Sequence, residues 1–404
     1  MGIRVAMLAP EFLPVWGGVG TYAVELVRNF PEDVEVHVIT PFRERIGDKM
    51  ASSADYDFEK MFGNNVHIHF LSKARDTFIY NAKFQLAIWR SLKDIVRREG
   101  INIVHSAGGL PDLLINPSEL EVPIVNTIHS TLRWQINDLR EISFSEMEFS
   151  EKMTKILALG LKWLEDMYYK KRFNLITVSQ FGKKRIVKEN NIPCEYIEVI
   201  HNGVDVERFT PQNRRKAKEL YGDIIEKEGV KVLYLSRFVA RKGFNLLLRA
   251  IPEVLKKVDA HFIFAGPGIK PNFEVFRIPK GTYTYLGYVY PPDYLYSIAD
   301  IFVLPSFTEN FPMSVLEAMA SEVCVLATNV GGIPEMVKNK YNGLLIPTKD
   351  VDALIRSLVY LIENDRERKK MAKNARRTVV EKFTWKKSAE LTLEYYKEIL
   401  EEGK

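Results

Sequence analysis

Ile301-Phe302-Val303-Leu304-Pro305-Ser306-Phe307-Thr308-Glu309-Asn310-Phe311-Pro312-Met313-Ser314-Val315-Leu316-Glu317-Ala318-Met319-Ala320 contains a whole strand–loop–helix unit. The four apolar residues 301–304 read as a buried strand, too short for a helix and lacking polar alternation. Pro312 suits the first turn of a helix, where its missing N–H has no partner to lose, and a helix is expected over 315–321. Glu309 then lies on the loop at the carboxyl end of the strand, and Glu317 in the second turn of the helix. A rise of about 1.5 Å per residue offsets the two carboxylates by several Å along anything bound there. The helix start between them favours an anion such as phosphate. One carboxylate could take the hydroxyls of a sugar and the other those of a ribose.

The same alternation runs outward in both directions. Downstream of residue 230, strands are expected over 231–235, 261–265, 323–327 and 343–347, and helices over 244–258 and 351–364. Amphipathic helices at 366–382 and 385–401 follow. In the first half, strands are expected over 4–9, 35–40, 66–71, 103–106, 124–128, 175–178 and 196–200, and helices over 20–30, 82–98 and 145–170. Phe84, Ile88, Leu92, Ile95 and Val96 form a helical stripe within 82–98. Short apolar runs alternating with longer amphipathic ones mark βαβ units and parallel sheets. Between the halves, the polar stretch 202–229 reads as a linker with a surface helix. The fold class is therefore α/β: two Rossmann-like doubly wound domains facing an interdomain cleft. The expected division is 1–205, 206–383, and a final helix 384–404 crossing back to the first domain. Open parallel sheets bind ligands at the carboxyl ends of their strands.

Composition agrees with this. A chain of 404 residues, 46% hydrophobic and 27% charged, can bury two cores, which excludes intrinsic disorder. The only cysteines, Cys194 and Cys324, exclude a disulfide scaffold. With 57 basic and 52 acidic residues the net charge is +5, too weak to argue for nucleic acid. It is compatible with an anionic substrate or with peripheral contact with an acidic membrane. No run approaches about 18 uncharged apolar residues, and Pro10-Glu11 interrupts the first apolar run before it could serve as a signal peptide. A cytoplasmic location is expected.

Three further places carry chemistry. Trp16-Gly17-Gly18-Val19-Gly20-Thr21 joins the first strand to the first helix, and glycines there allow close backbone approach to an anion. The spacing is not that of a dinucleotide fingerprint. Ser236-Arg237 and Lys242-Gly243 follow the strand 231–235, so two cations can point to one place; a diphosphate needs both a two-pronged and a point contact. His129 emerges where the strand 124–128 ends. Gly266 closes the strand 261–265 in a turn near this site. His67 and His69 share one face of a strand, but no further ligands have obvious spacing, so no metal is expected there. Asp55-Tyr56-Asp57 lies in a polar loop and Asp350 reads as a helix N-cap, so neither pair is taken as a metal–diphosphate clamp.

In combination these residues resemble the family 4 retaining glycosyltransferases of group 1, which have the GT-B architecture. The likeness covers nearly the whole chain. It rests on Gly17-Gly18-Val19-Gly20, Thr127-Ile128-His129, Ile176-Thr177-Val178-Ser179, Asn202-Gly203-Val204-Asp205, Arg237 with Lys242-Gly243, and Phe264-Ala265-Gly266. Its most specific part runs from Glu309 to Glu317 and on through Gly331-Gly332 and Glu335. One departure is Ser130, where relatives often carry an acidic residue after the histidine. The resemblance implies hexosyl transfer from a nucleotide-diphosphate sugar, with retention, no cofactor and no metal. His129, Arg237, Lys242 and Glu309 are the implied catalytic residues. Arg237 and Lys242 would hold the departing diphosphate, Glu309 the sugar hydroxyls and Glu317 the ribose. Backbone groups at Gly18, Met313 and Ser314 would add to the anion site, and Asn310, Phe311, Pro312, Gly266 and Val289 would line the donor. A glycan, lipid or small-polyol acceptor would be read by the loops 43–62 and 133–149, and no nucleic-acid partner is implied. Two alternatives share the architecture: a sugar phosphorylase, which would bring a pyridoxal lysine and a longer chain, and a nucleotide-sugar binding protein without turnover.

Overall fold

The computed structural model describes residues 2–15, 17–44, 51–74, 80–139, 147, 149–268 and 270–402. The chain divides into two compact units: the first takes Met1–Arg133, Leu159–Asn202 and Trp385–Lys404, the second Trp134–Ala158 and Gly203–Thr384.

In the first unit seven parallel strands, β1 (Arg4–Leu8), β2 (Glu35–Arg43), β3 (Val66–Ala74), β4 (Ile103–Ser106), β5 (Ile124–Ile128), β6 (Asn174–Thr177) and β7 (Ile197–Val199), lie in the order β3-β2-β1-β4-β5-β6-β7. Val5 sits between Val36 of β2 and Ile103 of β4. The order reverses between β1 and β4, the place where open sheets receive ligands. Helix Tyr80–Arg98 lays Phe84, Ile88, Leu92, Ile95 and Val96 on Ala6, Leu8, Ile39 and Val104. The final helix, Trp385–Glu402, belongs to this unit, and its Ser388 hydroxyl donates to the His201 carbonyl (2.7 Å).

The second unit has six parallel strands: β8 (Val230–Leu235), β9 (Ala260–Ala265), β10 (Tyr283–Gly287), β11 (Ile301–Leu304), β12 (Cys324–Thr328) and β13 (Leu344–Ile346), ordered β10-β9-β8-β11-β12-β13. Its switch point lies between β8 and β11, so the loops after those two strands emerge side by side. Tyr234, Phe262, Phe264, Val303, Leu326 and the buried side of helix Phe244–Leu255 build its core.

Three local readings differ from the structure. Edge strand β10 was not expected; its residues are all half-buried, so apolar alternation is missing. Helix Gln180–Asn190, capped by Ser179 accepting from the Gly182 N–H (2.8 Å), carries too few apolar residues to stand out. The single helix expected over 145–170 is two, Phe149–Ile156 and Ala158–Tyr169, and the start expected for it lies outside the described residues. Among the described residues, no helix is long and apolar enough to cross a membrane.

Candidate functional site

In the second unit, the loops after β8 and β11 are held together before any side chain is considered. The Phe307 N–H donates to the Arg241 carbonyl (2.8 Å). Gly243 has φ +69°, and a Cβ there would stand 1.8 Å from the Pro305 carbonyl oxygen. Gly331, φ +61°, likewise passes so close to Glu309 that a Cβ would lie 1.7 Å from its carbonyl oxygen. The Gly332 N–H donates to the Asn310 carbonyl (2.8 Å). Glycine is needed at both positions, for the left-handed backbone and for the space.

This stitching brings Lys242 Nζ to 2.6 Å from Glu309 Oε1. The Ser306 hydroxyl donates to the same carboxylate oxygen (2.7 Å), and Thr328 Oγ1 donates to the Ser306 carbonyl (2.6 Å). Only 15% of the Lys242 side chain and 7% of the Glu309 side chain are exposed. Burial pushes the Lys242 ammonium below its ordinary pKa; Glu309 opposes this, while the nearby Arg241 and Arg237 add to it. Three cations thus lie within electrostatic reach of one another, one of them paired with Glu309. Arg237 lies on the exposed part of the loop after β8.

Helix Met313–Ala320 starts directly beyond. Pro312 is its N-cap rather than a residue of its first turn, and no side chain caps it. The N–H groups of its first turn, at Met313 and Ser314, lie at the positive end of the helix dipole. Asn310 precedes buried Phe311 on the approach to this turn. Glu317 follows one turn into the helix, where the Tyr296 hydroxyl donates to its Oε2 (2.7 Å). Burial, and then the Glu317 charge, raise the Tyr296 phenol well above its ordinary pKa and keep it a donor. The Gly266 N–H donates to the Gly287 carbonyl (2.7 Å) where β9 and β10 end, and half-buried Val289 follows two residues on.

In the first unit, His129 stands at the end of β5. Its Nε2–H donates to the Ala107 carbonyl (3.1 Å), and its ring meets Tyr22 edge-on, centroids 4.6 Å apart. Burial pushes its pKa down to about 4. Behind it runs a hydrogen-bonded chain: Tyr22 hydroxyl to Thr127 Oγ1 (2.9 Å), Thr127 Oγ1 to His105 Nε2 (2.7 Å), and His105 Nδ1 to the Tyr396 hydroxyl. Burial lowers His105 to about 3.

The glycine turn of this unit has an occupant that the sequence reading did not name. The N–H of Gly17, the N-cap of helix Gly18–Arg28, donates to Glu11 Oε1 (2.5 Å). A Cβ on Gly20 would stand 2.6 Å from Glu11 Cγ. The helix therefore starts over one of the protein's own carboxylates, and Gly18 is its first residue. Trp16, residues 45–50 of the loop 43–62, and residues 140–146 and 148 of the loop 133–149 lie outside the described residues.

Sequence reasoning also missed Arg241, Ser306, Tyr296 and His105. Arg241 adjoins Lys242 and could have been read with it; the others act through partners that no local pattern names. Asp350 accepts from the Ala353 N–H (2.8 Å) as the expected N-cap. Asp55 and Asp57 also accept backbone N–H groups, from Ser52 and Lys60.

Comparison with known proteins matches the two halves of the chain separately. The family model described as glycosyl transferases group 1 matches residues 222–378, and that described as glycosyltransferase family 4 matches residues 16–208. An uncharacterized glycosyltransferase of Methanocaldococcus jannaschii is 28% identical over 421 residues, with 99% of each chain covered. The UDP-Gal:alpha-D-GlcNAc-diphosphoundecaprenol alpha-1,3-galactosyltransferase of Escherichia coli is 27% identical over 306 residues, covering 72% of this chain and 74% of that one. Among solved structures, Anabaena HepE in complex with UDP-glucose superposes with a TM-score of 0.69 at 16% identity, over 98% of this chain and 100% of that one. That likeness is one of fold, the two parallel Rossmann-like sheets of the GT-B architecture.

Proposed function

The chain belongs to the glycosyltransferases, its first half matching family 4 and its second half group 1, and on that premise we propose that it moves a hexosyl group from a nucleotide-diphosphate sugar to a hydroxyl acceptor, with retention of configuration and without a metal or cofactor. The observation that carries the reading is the Lys242–Glu309 pair at 2.6 Å, set at the carboxyl ends of adjacent strands beside an uncapped helix start.

Each part then has a task. Arg237 and Lys242 take the diphosphate, Arg237 by a two-pronged contact and Lys242 as a point charge. The N–H groups of Met313 and Ser314 add to the same field. Glu309 accepts from the hydroxyls of the transferring sugar, and Glu317 from the ribose. These groups are most effective where charge develops, on the diphosphate oxygen as its bond to the sugar breaks. The acceptor oxygen bonds to the anomeric carbon on the face that the diphosphate leaves, and the acceptor proton passes to the departing oxygen. His129, uncharged near neutrality, offers hydrogen bonding rather than charge. The UDP-Gal donor of the Escherichia coli relative and the UDP-glucose bound by Anabaena HepE support uridine diphosphate hexoses as the first donors to test. The Escherichia coli relative acts on a lipid-diphosphate-linked sugar, which supports a hydroxyl acceptor of the glycan or lipid class.

The test is calorimetry with UDP, GDP and ADP in EDTA, followed by donor hydrolysis assays with the matching sugars. One nucleotide should bind without metal, and Glu309→Ala should keep that binding while losing transfer. If no nucleoside diphosphate binds, or if Lys242→Ala binds it as tightly as the parent, the assignment is wrong. If the nucleotide binds but no sugar donor is ever turned over, the chain is a binding protein.

A further inference from the structure

At the opposite end of the first sheet, where β2 and β3 begin, lies a cluster that the glycosyl transfer chemistry does not use. Residues two apart on a strand share a face, so Glu35 and His37 project together from β2, and His67 and His69 from β3. The parallel register sets His37 opposite His67. Glu35 Oε1 lies 3.3 Å from His37 Nε2 and 3.5 Å from His67 Nε2, and the three donor atoms fall within 4.8 Å of one another. A tetrahedral ion bonded at about 2.0–2.1 Å spaces its donors by about 3.3 Å. Both distances to the carboxylate already match that edge.

The surroundings prepare these donors. Arg4 Nε holds the other carboxylate oxygen, Glu35 Oε2, at 2.9 Å, which leaves Oε1 turned to the imidazoles. His37 is 2% exposed, and its Nε2 has no hydrogen-bond partner among the described residues. Its Nδ1 is 3.0 Å from His69 Nε2. A proton on His37 Nδ1 donated to His69 leaves the Nε2 lone pair facing Glu35 Oε1, the way an outer partner fixes a ligating histidine. The other charges nearby come from the end of helix Tyr80–Arg98: Arg98 donates to Glu99 Oε1 (2.8 Å), and that carboxylate faces His37 and His69. Side-chain exposures of 32% at Glu35 and 45% at His67 give an ion a way in and leave its fourth position to water.

We propose that Glu35, His37 and His67 bind one divalent transition-metal ion of the zinc class, with His69 as the positioning residue for His37. One carboxylate and two imidazoles suit zinc or cobalt far better than calcium or magnesium, which take oxygen ligands. β3 is the edge strand of its sheet, so the ion ties that edge to β2. It is a stabilising site, separate from transfer.

The full chain, stripped with EDTA, freed of any tag and carrying Cys194→Ser to remove the exposed thiol, is titrated with Co2+ and then with Zn2+. One equivalent of Co2+ should produce the visible ligand-field absorption of four-coordinate cobalt, displaced by one Zn2+, and Zn2+ should raise the unfolding midpoint. His67→Ala and Glu35→Gln, both solvent-facing, should weaken binding at least about 100-fold, and His69→Ala by about 10–100-fold. Sugar transfer at room temperature should stay as it was in all three. The proposal is overturned if the parent takes up no stoichiometric cobalt, or if His67→Ala and Glu35→Gln bind as the parent does.

Discussion

At the carboxyl end of β5, the first unit gathers His129, Tyr22, Thr127 and His105, and burial holds both histidines uncharged near neutral pH. At the carboxyl ends of β8 and β11, the second unit gathers Lys242, Arg241, Arg237 and Glu309 around an ion pair. The helix starts differ in the same sense. Helix Gly18–Arg28 begins over the Glu11 carboxylate, whereas helix Met313–Ala320 follows Pro312 on the loop that carries Glu309. Both units have the same βα construction, yet one sets a carboxylate of its own at its helix start and the other gathers cations on a neighbouring loop. The lesson is that a glycine-rich βα turn does not alone identify an anion site: the glycines of the first unit make room for a carboxylate, those of the second for neighbouring carbonyl groups.

Glycine substitutions should separate the units most clearly. Gly331→Ala puts a methyl 1.7 Å from the Glu309 carbonyl oxygen at positive φ, so the loop bearing Glu309 must move. Urea unfolding should show a loss of about 3 kcal/mol, and transfer should fall about 100-fold or more. Gly17→Ala has φ −151° and meets only the end of the Glu11 side chain at 3.1 Å, and should lose less than about 1 kcal/mol. Equal effects at the two positions would remove the distinction.

Next comes the ion pair. Lys242→Ala should lower turnover about 100-fold or more by removing fixed positive charge from the departing diphosphate, and weaken nucleotide binding in calorimetry. His129→Asn, which keeps a hydrogen-bonding group of no charge, should do considerably less in the same assay.

Acidity should act chiefly on the first unit. A histidine with a folded pKa of about 3 and an unfolded value near 6.5 contributes stability above pH 6.5 that is lost as the pH falls through that window, because the unfolded chain binds the proton first. His105 is fully buried. Lowering the pH from 7 to 5 should take away about 2 kcal/mol on its account, and His105→Asn should flatten that slope in denaturant titrations.

The smallest effect belongs to Glu11. Glu11→Gln keeps the shape but removes the charge from the helix start, and should reduce stability by about 1 kcal/mol with nucleotide binding unaltered by calorimetry. Tighter nucleotide binding in this variant would mean that Glu11 competes with the donor phosphates, and the contrast between the two helix starts would narrow.

Legibility followed burial and distance. β4 and β5 stand where the sequence reading places them, because both are buried along their whole length and each opens on apolar residues. β10 escaped notice because it is half-buried at an edge, where tyrosine and threonine serve as well as valine. Within the candidate site, Lys242 and Glu309 were visible one at a time, each at the end of an apolar run. Their pairing was not visible, since 67 positions separate them. The Glu317 carboxylate was visible too, but not the Tyr296 hydroxyl that orients it from 21 positions away.

Hydrophobic periodicity was enough to establish the succession of strands and helices, the parallel α/β class and the loops that carry charged residues, because each is written in neighbouring positions. Strand order was not, since β1 takes β2 and β4 as neighbours and β8 takes β9 and β11. Those pairings depend on which faces the crossover helices can cover. Everything built across them followed from that packing: the Lys242–Glu309 contact, the Glu11 carboxylate under its helix, and the meeting of Glu35, His37 and His67. A side chain's own neighbours in the chain set its backbone, but its partners in space are set by the fold.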